Sequence, residues 1–201
     1  MKYYLSSYGI GRESTVLVRL IGKKKLLFIP NAMDHVEQQS REKSNRAGIA
    51  ELTRLGIHVE ILDLRAYFGK KDQLHELLRT VGGVWVRGGN TFVLRQAMKL
   101  SGFDQLIHAM NEDFLYAGYS AGICVLAPNL DALQIVDNPH VHAYGEITET
   151  VWEGLGLLDY IILPHYKSDH PESADIDKEV AFCQRQGIAY KTLRDGEVLL
   201  I

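Results

Sequence analysis

The sequence predicts an α/β fold of three layers, in which a mostly parallel sheet carries helices on both faces. Eight short runs rich in apolar and β-branched residues recur along the 201 residues, and several are continuous enough to be buried on both faces. Segments with helical spacing of apolar residues lie between these runs. Because parallel strands need a crossover connection, which is usually a helix, the alternation favours a parallel sheet. We expect ligands at the carboxyl ends of its strands.

The elements can be placed from local signals. The predicted strands are 2–6, 25–30, 58–64, 83–86, 114–120, 160–165, 188–193 and 197–201. The predicted helices are 44–56, 72–80, 91–100, 103–112 and 173–186. Gly56 and Gly187 are positioned to end the first and last of these helices. The final strand follows the turn sequence RDGE, so it either closes a terminal hairpin or is simply the last strand.

Composition limits the classes of protein to consider. With 46% hydrophobic residues, 23% charged residues and a net charge of −3, residues 1–201 are expected to form a single domain. The two cysteines, Cys124 and Cys183, lack the paired spacing of a metal site and are too few for a disulfide framework. We therefore expect no metal and no cofactor in a cytoplasmic protein. No signal peptide, membrane span or basic nucleic-acid footprint is recognisable, so neither membrane nor nucleic acid is an expected partner.

Ser120 is the first candidate for chemistry. It lies in GYSAG (118–122), which matches the GxSxG pattern of a nucleophile on a sharp strand-to-helix turn. The small residues on each side let the chain turn, and the N–H group of Ala121 at the helix start would face an oxyanion. The alternative is that Ser120 only caps the following helix.

A second strand, glycine and helix sequence lies at VWVRGGNTFVLRQAM (84–98). Gly88 and Gly89 would leave backbone N–H groups open toward the strand ends, where a second oxyanion donor is needed. Asn90 is placed to cap the next helix, which is also the alternative explanation of the whole turn. The segment has neither GxGxxG nor a GK[ST] ending, so it does not indicate a nucleotide site.

A catalytic serine needs a base, and eight histidines compete for that role. His165 is favoured because it follows an apolar strand and a proline, with His170 and His142 as alternatives. The local sequence does not decide which acid would orient the imidazole. Asp131 or Asp137 would give the order Ser, Asp, His, whereas Asp195 would give Ser, His, Asp, and Asp159 is a further alternative.

Together, the segments RGGNTFVL, GYSAG and PHY resemble the serine peptidase family of dipeptidase E (α-aspartyl dipeptidase) and cyanophycinase, over essentially the whole chain. The resemblance implies a class I glutamine amidotransferase-like (flavodoxin-like) fold, with serine in place of cysteine. It implies a catalytic triad of Ser120, His165 and Asp195, although dipeptidase E has a glutamate as the third member. Gly89 and Ala121 would supply oxyanion N–H groups. An acidic residue downstream of the serine has also been considered important in the family, and Asp131 is the nearest match.

The expected function is hydrolysis of amide bonds in short peptides through an acyl-enzyme, by a monomer or homodimer. We expect Gly88, Gly89, Asn90 and Ala121 to contact the substrate or the oxyanion. One departure concerns specificity: the segment 167–180 is acidic, whereas dipeptidase E has a basic loop there, which puts aspartyl specificity in doubt. The alternatives are an α/β-hydrolase-type esterase and a catalytically silent module that binds a small molecule.

Overall fold

A computed structural model describes residues 1–201 and contains a six-stranded sheet with the strand order β3-β2-β4-β5-β1-β8. The strands are β1 (Lys2–Ser6), β2 (Leu26–Ile29), β3 (Val59–Ile61), β4 (Gly83–Val86), β5 (Leu115–Tyr119), β6 (Ile161–Leu163), β7 (Tyr190–Thr192) and β8 (Val198–Leu200). The first five strands run parallel, and β8 pairs antiparallel with β1 at the sheet edge. The predicted α/β class and mostly parallel sheet are confirmed.

Seven helices surround the sheets. They are α1 (Ser14–Ile21), α2 (Gln38–Arg54), α3 (Lys71–Leu78), α4 (Thr91–Ser101), α5 (Phe103–Leu106), α6 (Ala121–Cys124) and α7 (Ser173–Gln186). Leu17 and Leu52, from α1 and α2, pack with Trp85 in one buried cluster. Residues of α3, α4 and α5 pack in a larger cluster with Val84 and Val86 of the same strand, β4. Because successive strand residues point to opposite faces, the two clusters cover the two sides of the sheet.

Two predicted strands do not join the main sheet. β6 and β7 form a separate parallel pair, in register at Ile161 and Tyr190. This pair packs against α7 through buried residues that include Leu163, Ile176 and Cys183. β8 returns to β1, so no terminal hairpin joins β7 and β8, and the alternative of a simple last strand is correct.

Some helices differ from the prediction, and local capping explains the start of α2. The predicted helix 44–56 begins earlier, at Gln38, because the Glu37 carboxylate accepts hydrogen bonds from the N–H groups of Gln39 and Ser40. The predicted helix 103–112 is only α5 followed by a 3-10 turn at Ile107–Ala109. The first helix, α1, was not predicted. No helix combines the length and the apolar character needed to cross a membrane.

The register of the strands brings three chain segments to one edge of the sheet. Ser6 of β1 pairs with Tyr119 of β5, and Val86 of β4 pairs with Gly118 of β5. The residues that follow these strands, including Ser7 and Ser120, are therefore neighbours. This edge holds the candidate site.

Candidate active site

Ser120 occupies a strained turn between β5 and α6. Its backbone has φ of 49° and ψ of −124°, in a region that a residue with a side chain rarely adopts. The flanking glycines are required because a Cβ at Gly118 or Gly122 would lie 2.5 or 2.1 Å from the carbonyl oxygen of Val86. The turn is therefore packed directly on the end of β4, with the geometry of a nucleophile elbow.

The glycine segment after β4 lies against this turn. A Cβ at Gly88 would come within 2.8 Å of the Ser120 Cβ, so only glycine fits there. The N–H group of Gly89, whose φ is 146°, donates no hydrogen bond within the protein. The N–H group of Ala121 begins α6 and has no helical acceptor. Both predicted oxyanion donors thus lie beside the serine.

The side chain of Asn90 holds the loop through two hydrogen bonds. Its Oδ1 accepts a hydrogen bond from the N–H group of Val93 and caps α4, as predicted. Its Nδ2 donates to the carbonyl oxygen of Asn138 at 3.0 Å. Asn90 lines the cleft beside Ser120, but both the oxygen and the nitrogen of its side-chain amide already make hydrogen bonds within the protein.

His165 and Asp195 form a close pair at the same edge. His165 follows β6 with φ of 60°, and its Nδ1 lies 2.7 Å from Oδ1 of Asp195 in the turn before β8. The imidazole is buried at 1% exposure, while the carboxylate is 24% exposed. An adjacent carboxylate favours the tautomer that carries the proton on Nδ1, which leaves the lone pair on Nε2.

The electrostatics of His165 keep it ready to accept a proton. Burial lowers the pKa of His165 below its usual value, and the hydrogen bond to Asp195 only partly opposes this effect. The ring is therefore neutral at pH 7. Nε2 makes no hydrogen bond in the structure and lies 4.0 Å from Glu172. Hydrogen bonds between a base and its nucleophile often form only when substrate is bound.

Ser7 connects the three predicted catalytic residues and was not found from the sequence. Its carbonyl oxygen accepts a hydrogen bond from the N–H group of Ser120 at 3.2 Å. Its hydroxyl accepts from the N–H group of His165 at 2.8 Å and donates to Oδ1 of Asp195 at 2.9 Å. The only available signal was its position directly after the first strand.

Ser120 and His165 line one open cleft of about 490 Å³. His170 stacks on His165 with ring centroids 3.7 Å apart, and Glu172 lies at their edges. His165, His170 and Glu172 place one potential ligand atom each within 4.8 Å of the others, so these three could hold a metal ion. Such an ion would occupy the imidazole lone pair that a general base needs.

The other acids considered from the sequence make no hydrogen bond to His165. Oδ2 of Asp137 accepts a hydrogen bond from the N–H group of Thr91 at 2.8 Å, although Asp137 also lines the cleft. Asp131 and Asp159 line a different cavity. The alternative base His142 is exposed and lies outside the cleft lining. Of the candidate acids, Asp195 is the one whose carboxylate contacts His165.

A hydroxyl in an elbow, a buried imidazole and a carboxylate around one cleft are typical of serine hydrolases. The model of peptidase family S51 matches residues 13–201. The chain therefore belongs to peptidase family S51, which confirms the resemblance to the dipeptidase E family. The family is one of serine-type peptidases, and the comparisons favour neither the esterase nor the silent binding module.

Individual relatives agree with this assignment. The chain is similar to uncharacterized peptidases of Listeria innocua, at 35% identity, and of Listeria monocytogenes, at 34% identity, with 72% of this chain covered in each case. The matches span only about two thirds of these relatives, 66% and 67% of their lengths.

Two solved structures have the same fold. The first, from Listeria monocytogenes and described as a candidate peptidase E, matches with a TM-score of 0.72 and 25% identity, covering 100% of this chain and 97% of its own. The second, a peptidase from an acI-B1 Actinobacterium, has a TM-score of 0.70 at 18% identity, covers 100% of this chain and 82% of its own, and supports the fold alone.

Proposed function

We propose that this protein is a serine peptidase that hydrolyses amide bonds of short peptides through an acyl-enzyme. The observation that carries the proposal is the contact of 2.7 Å between the buried His165 imidazole and the Asp195 carboxylate, beside the cleft into which the strained Ser120 turn opens. A serine that served only as a helix cap would need neither partner. Its side chain in fact makes no capping hydrogen bond to α6.

The roles follow from the atoms available. The Ser120 hydroxyl attacks the substrate carbonyl carbon while Nε2 of His165 takes its proton. The N–H groups of Gly89 and Ala121 stabilise the resulting oxyanion. His165 then gives the proton to the leaving amine, and a water molecule, activated by the same imidazole, hydrolyses the ester. Asp195 stabilises the charged imidazole and holds its tautomer throughout.

Arg87 favours short peptides with a free carboxyl terminus. It lines the cleft, is 6% exposed, and has no carboxylate within ion-pair distance. Its guanidinium donates only to neutral oxygens, those of Asn45, Ser44 and Gly88. A buried cation without an anionic partner is costly, so a substrate carboxylate would bind favourably there.

We also place the protein in the cytoplasm, where its two buried free thiols would remain reduced.

A dipeptide and tripeptide library, supplied as free acids and as carboxyl-terminal amides, tests the function. We expect turnover of short free acids, weaker turnover of their amides, and a loss of about 10⁴-fold or more in kcat for Ser120→Ala. Ser101→Ala is the matched control, because this buried serine at the end of α4 bonds only within α4 and to the N–H group of Phe103, and it does not line the cleft. Turnover that survives Ser120→Ala would contradict the proposal, and binding without turnover would indicate a silent module.

A further inference from the structure

A small recess lies behind the cleft, next to the nucleophile. It has a volume of about 20 Å³, enough for one group of the size of a water molecule. Ser120, Val136, Asp137 and Glu172 line both the recess and the cleft, so the recess opens beside the serine. Its remaining walls are mainly apolar, and Glu179 of α7 completes it. We call this cavity the acidic recess, after Asp137, Glu172 and Glu179.

Glu179 is the unusual member of the acidic recess. The residue is 1% exposed, yet its carboxyl group makes no hydrogen bond and no ion pair within the protein. Burial, reinforced by the charges of Asp137, Glu172 and Asp175, raises the pKa of Glu179 to about 9. A buried carboxyl group without a partner is expensive to keep, which indicates that a ligand satisfies it.

The other two acids strengthen the negative character of the acidic recess. Burial raises the pKa of Asp137 to about 6, despite its hydrogen bond from Thr91. Glu172 stands at the opening and is 43% exposed. No lysine or arginine lines the recess, and none forms an ion pair with any of the three carboxyl groups. A cation entering the recess would therefore meet three acids and no competing positive charge.

Size and charge together select the ligand. An anionic side chain would be repelled by the negative charge of the recess, and a planar guanidinium is larger than a space for one water molecule. A primary ammonium group has the right volume and three donors, and carboxylate oxygens are its natural acceptors. Because Ser120 itself lines the recess, the bound ammonium group must belong to a residue close to the carbonyl that is attacked.

We propose that the acidic recess binds a primary ammonium group of the substrate residue whose carbonyl Ser120 attacks, so that the enzyme prefers a cationic group and not an aspartyl side chain at this position. This inference rests on the proposed peptidase function. The ammonium group has two possible sources, the α-amino group of an amino-terminal residue and the side chain of a lysine-like residue. The chemistry is the same for both, and the experiment separates them.

The test uses four substrates with a common leaving residue: Lys-Leu, norleucine-Leu and the N-acetylated form of each. We expect kcat/KM to be about 10- to 100-fold higher for substrates with the relevant ammonium group than for acetyl-norleucine-Leu. Retained preference for acetyl-lysine-Leu identifies the side chain as the source. Retained preference for norleucine-Leu identifies the α-amino group.

With a pKa of about 9, the Glu179 carboxyl is protonated at pH 7 in the free protein and ionises when an ammonium group binds beside it. The variant Glu179→Gln keeps the shape of the side chain but cannot ionise. We expect it to reduce the ratio of kcat/KM between ammonium-bearing and neutral substrates by about 10- to 100-fold. The matched control is Asp177→Asn, which makes the corresponding change from carboxyl to amide at an exposed position of the same helix and should leave the ratio unaltered. If Glu179→Gln does not fold, Glu172→Gln at the half-exposed opening tests the same ratio.

Equal kcat/KM for all four substrates, or the same ratio in wild type and both glutamine variants, would overturn the inference. If no peptide is hydrolysed in a Ser120-dependent manner, the proposed function fails, and binding still tests the recess. Calorimetry with lysinamide and norleucinamide, each with a free or acetylated α-amino group, should then show tighter binding of the ammonium-bearing compounds that Glu179→Gln removes. Indistinguishable binding of all four would contradict the assignment of the recess.

Discussion

Single residues with several partners hold the candidate site in place, and Ser7 is the clearest case. Its carbonyl oxygen holds the Ser120 backbone, and its hydroxyl lies between the His165 N–H group and the Asp195 carboxylate. Ser7 itself is fully buried, so no water can replace the hydroxyl without rearrangement. The relative positions of the proposed nucleophile, base and acid therefore depend on one short side chain that does not line the cleft.

Ser7→Ala should lower kcat by about 10-fold, because a buried N–H group loses its acceptor at a cost of about 1–3 kcal/mol and the imidazole loses its exact position. KM should change little, since no substrate contact is removed. Steady-state kinetics measure both constants. Ser6→Ala, at the adjacent position, is the control, because the Ser6 hydroxyl bonds only to the nearby Tyr8 carbonyl. An unchanged kcat in Ser7→Ala would refute the positioning role.

At the residue scale, the sequence was informative where residues form local patterns. GYSAG and RGGN are short motifs, and His165 follows a strand, so all three could be identified from the local sequence. The choice of Asp195 over Asp131 came from the family resemblance. Ser7 and Glu179 could not be found in this way, because their significance lies in contacts with residues that are distant in the chain, such as the 158 positions between Ser7 and His165.

Between elements, the contact of the β5–α6 turn with the end of β4 determines the geometry of Ser120. Both glycines of the motif face the Val86 carbonyl oxygen, with no room for a methyl group. The pattern GxSxG is thus explained by packing of β5 and the start of α6 against the end of β4, in addition to the sharpness of the turn. The strain at Ser120 is supported by this packing.

Gly122→Ala should destabilise the protein by about 3 kcal/mol, because the added Cβ would lie 2.1 Å from the Val86 oxygen and α6 would have to move away from the end of β4. For a protein of this size, the melting temperature should fall by about 10 °C. Thermal unfolding followed by circular dichroism measures the change. Gly145→Ala, with open space around its Cβ, should melt like wild type, and a similar result for Gly122→Ala would contradict the packing explanation.

The existence of elements was predictable, but their partners were not. Apolar or β-branched runs bounded by turn residues marked all eight strands, although β3, β7 and β8 are partly exposed in the structure. No local signal shows that β6 and β7 leave the main sheet, since a strand of either sheet buries the same kind of residue. The start of α2 depends on the Glu37 cap, and glutamate is not among the residues that usually mark a helix start.

In the whole molecule, the strand order brings residues that are distant in the sequence together in one site. Placing β1 between β5 and β8 brings Ser7, Ser120 and Asp195 together, although they are far apart in the chain. The side pair β6–β7 then supplies His165, and α7 covers the acidic recess. The α/β class was predictable from the alternation of elements, whereas this order was implied only by the family resemblance.

Labelling with a fluorophosphonate, followed by intact-mass measurement and peptide mapping, tests the central claim most directly. The reagent captures a serine only when the folded chain supplies the base and the oxyanion donors. We predict one adduct per chain, on Ser120, in the native protein, and none after unfolding in urea or in Ser120→Ala. An unlabelled native protein, or an adduct on another serine such as Ser7 or Ser168, would contradict the assignment of Ser120 as the nucleophile.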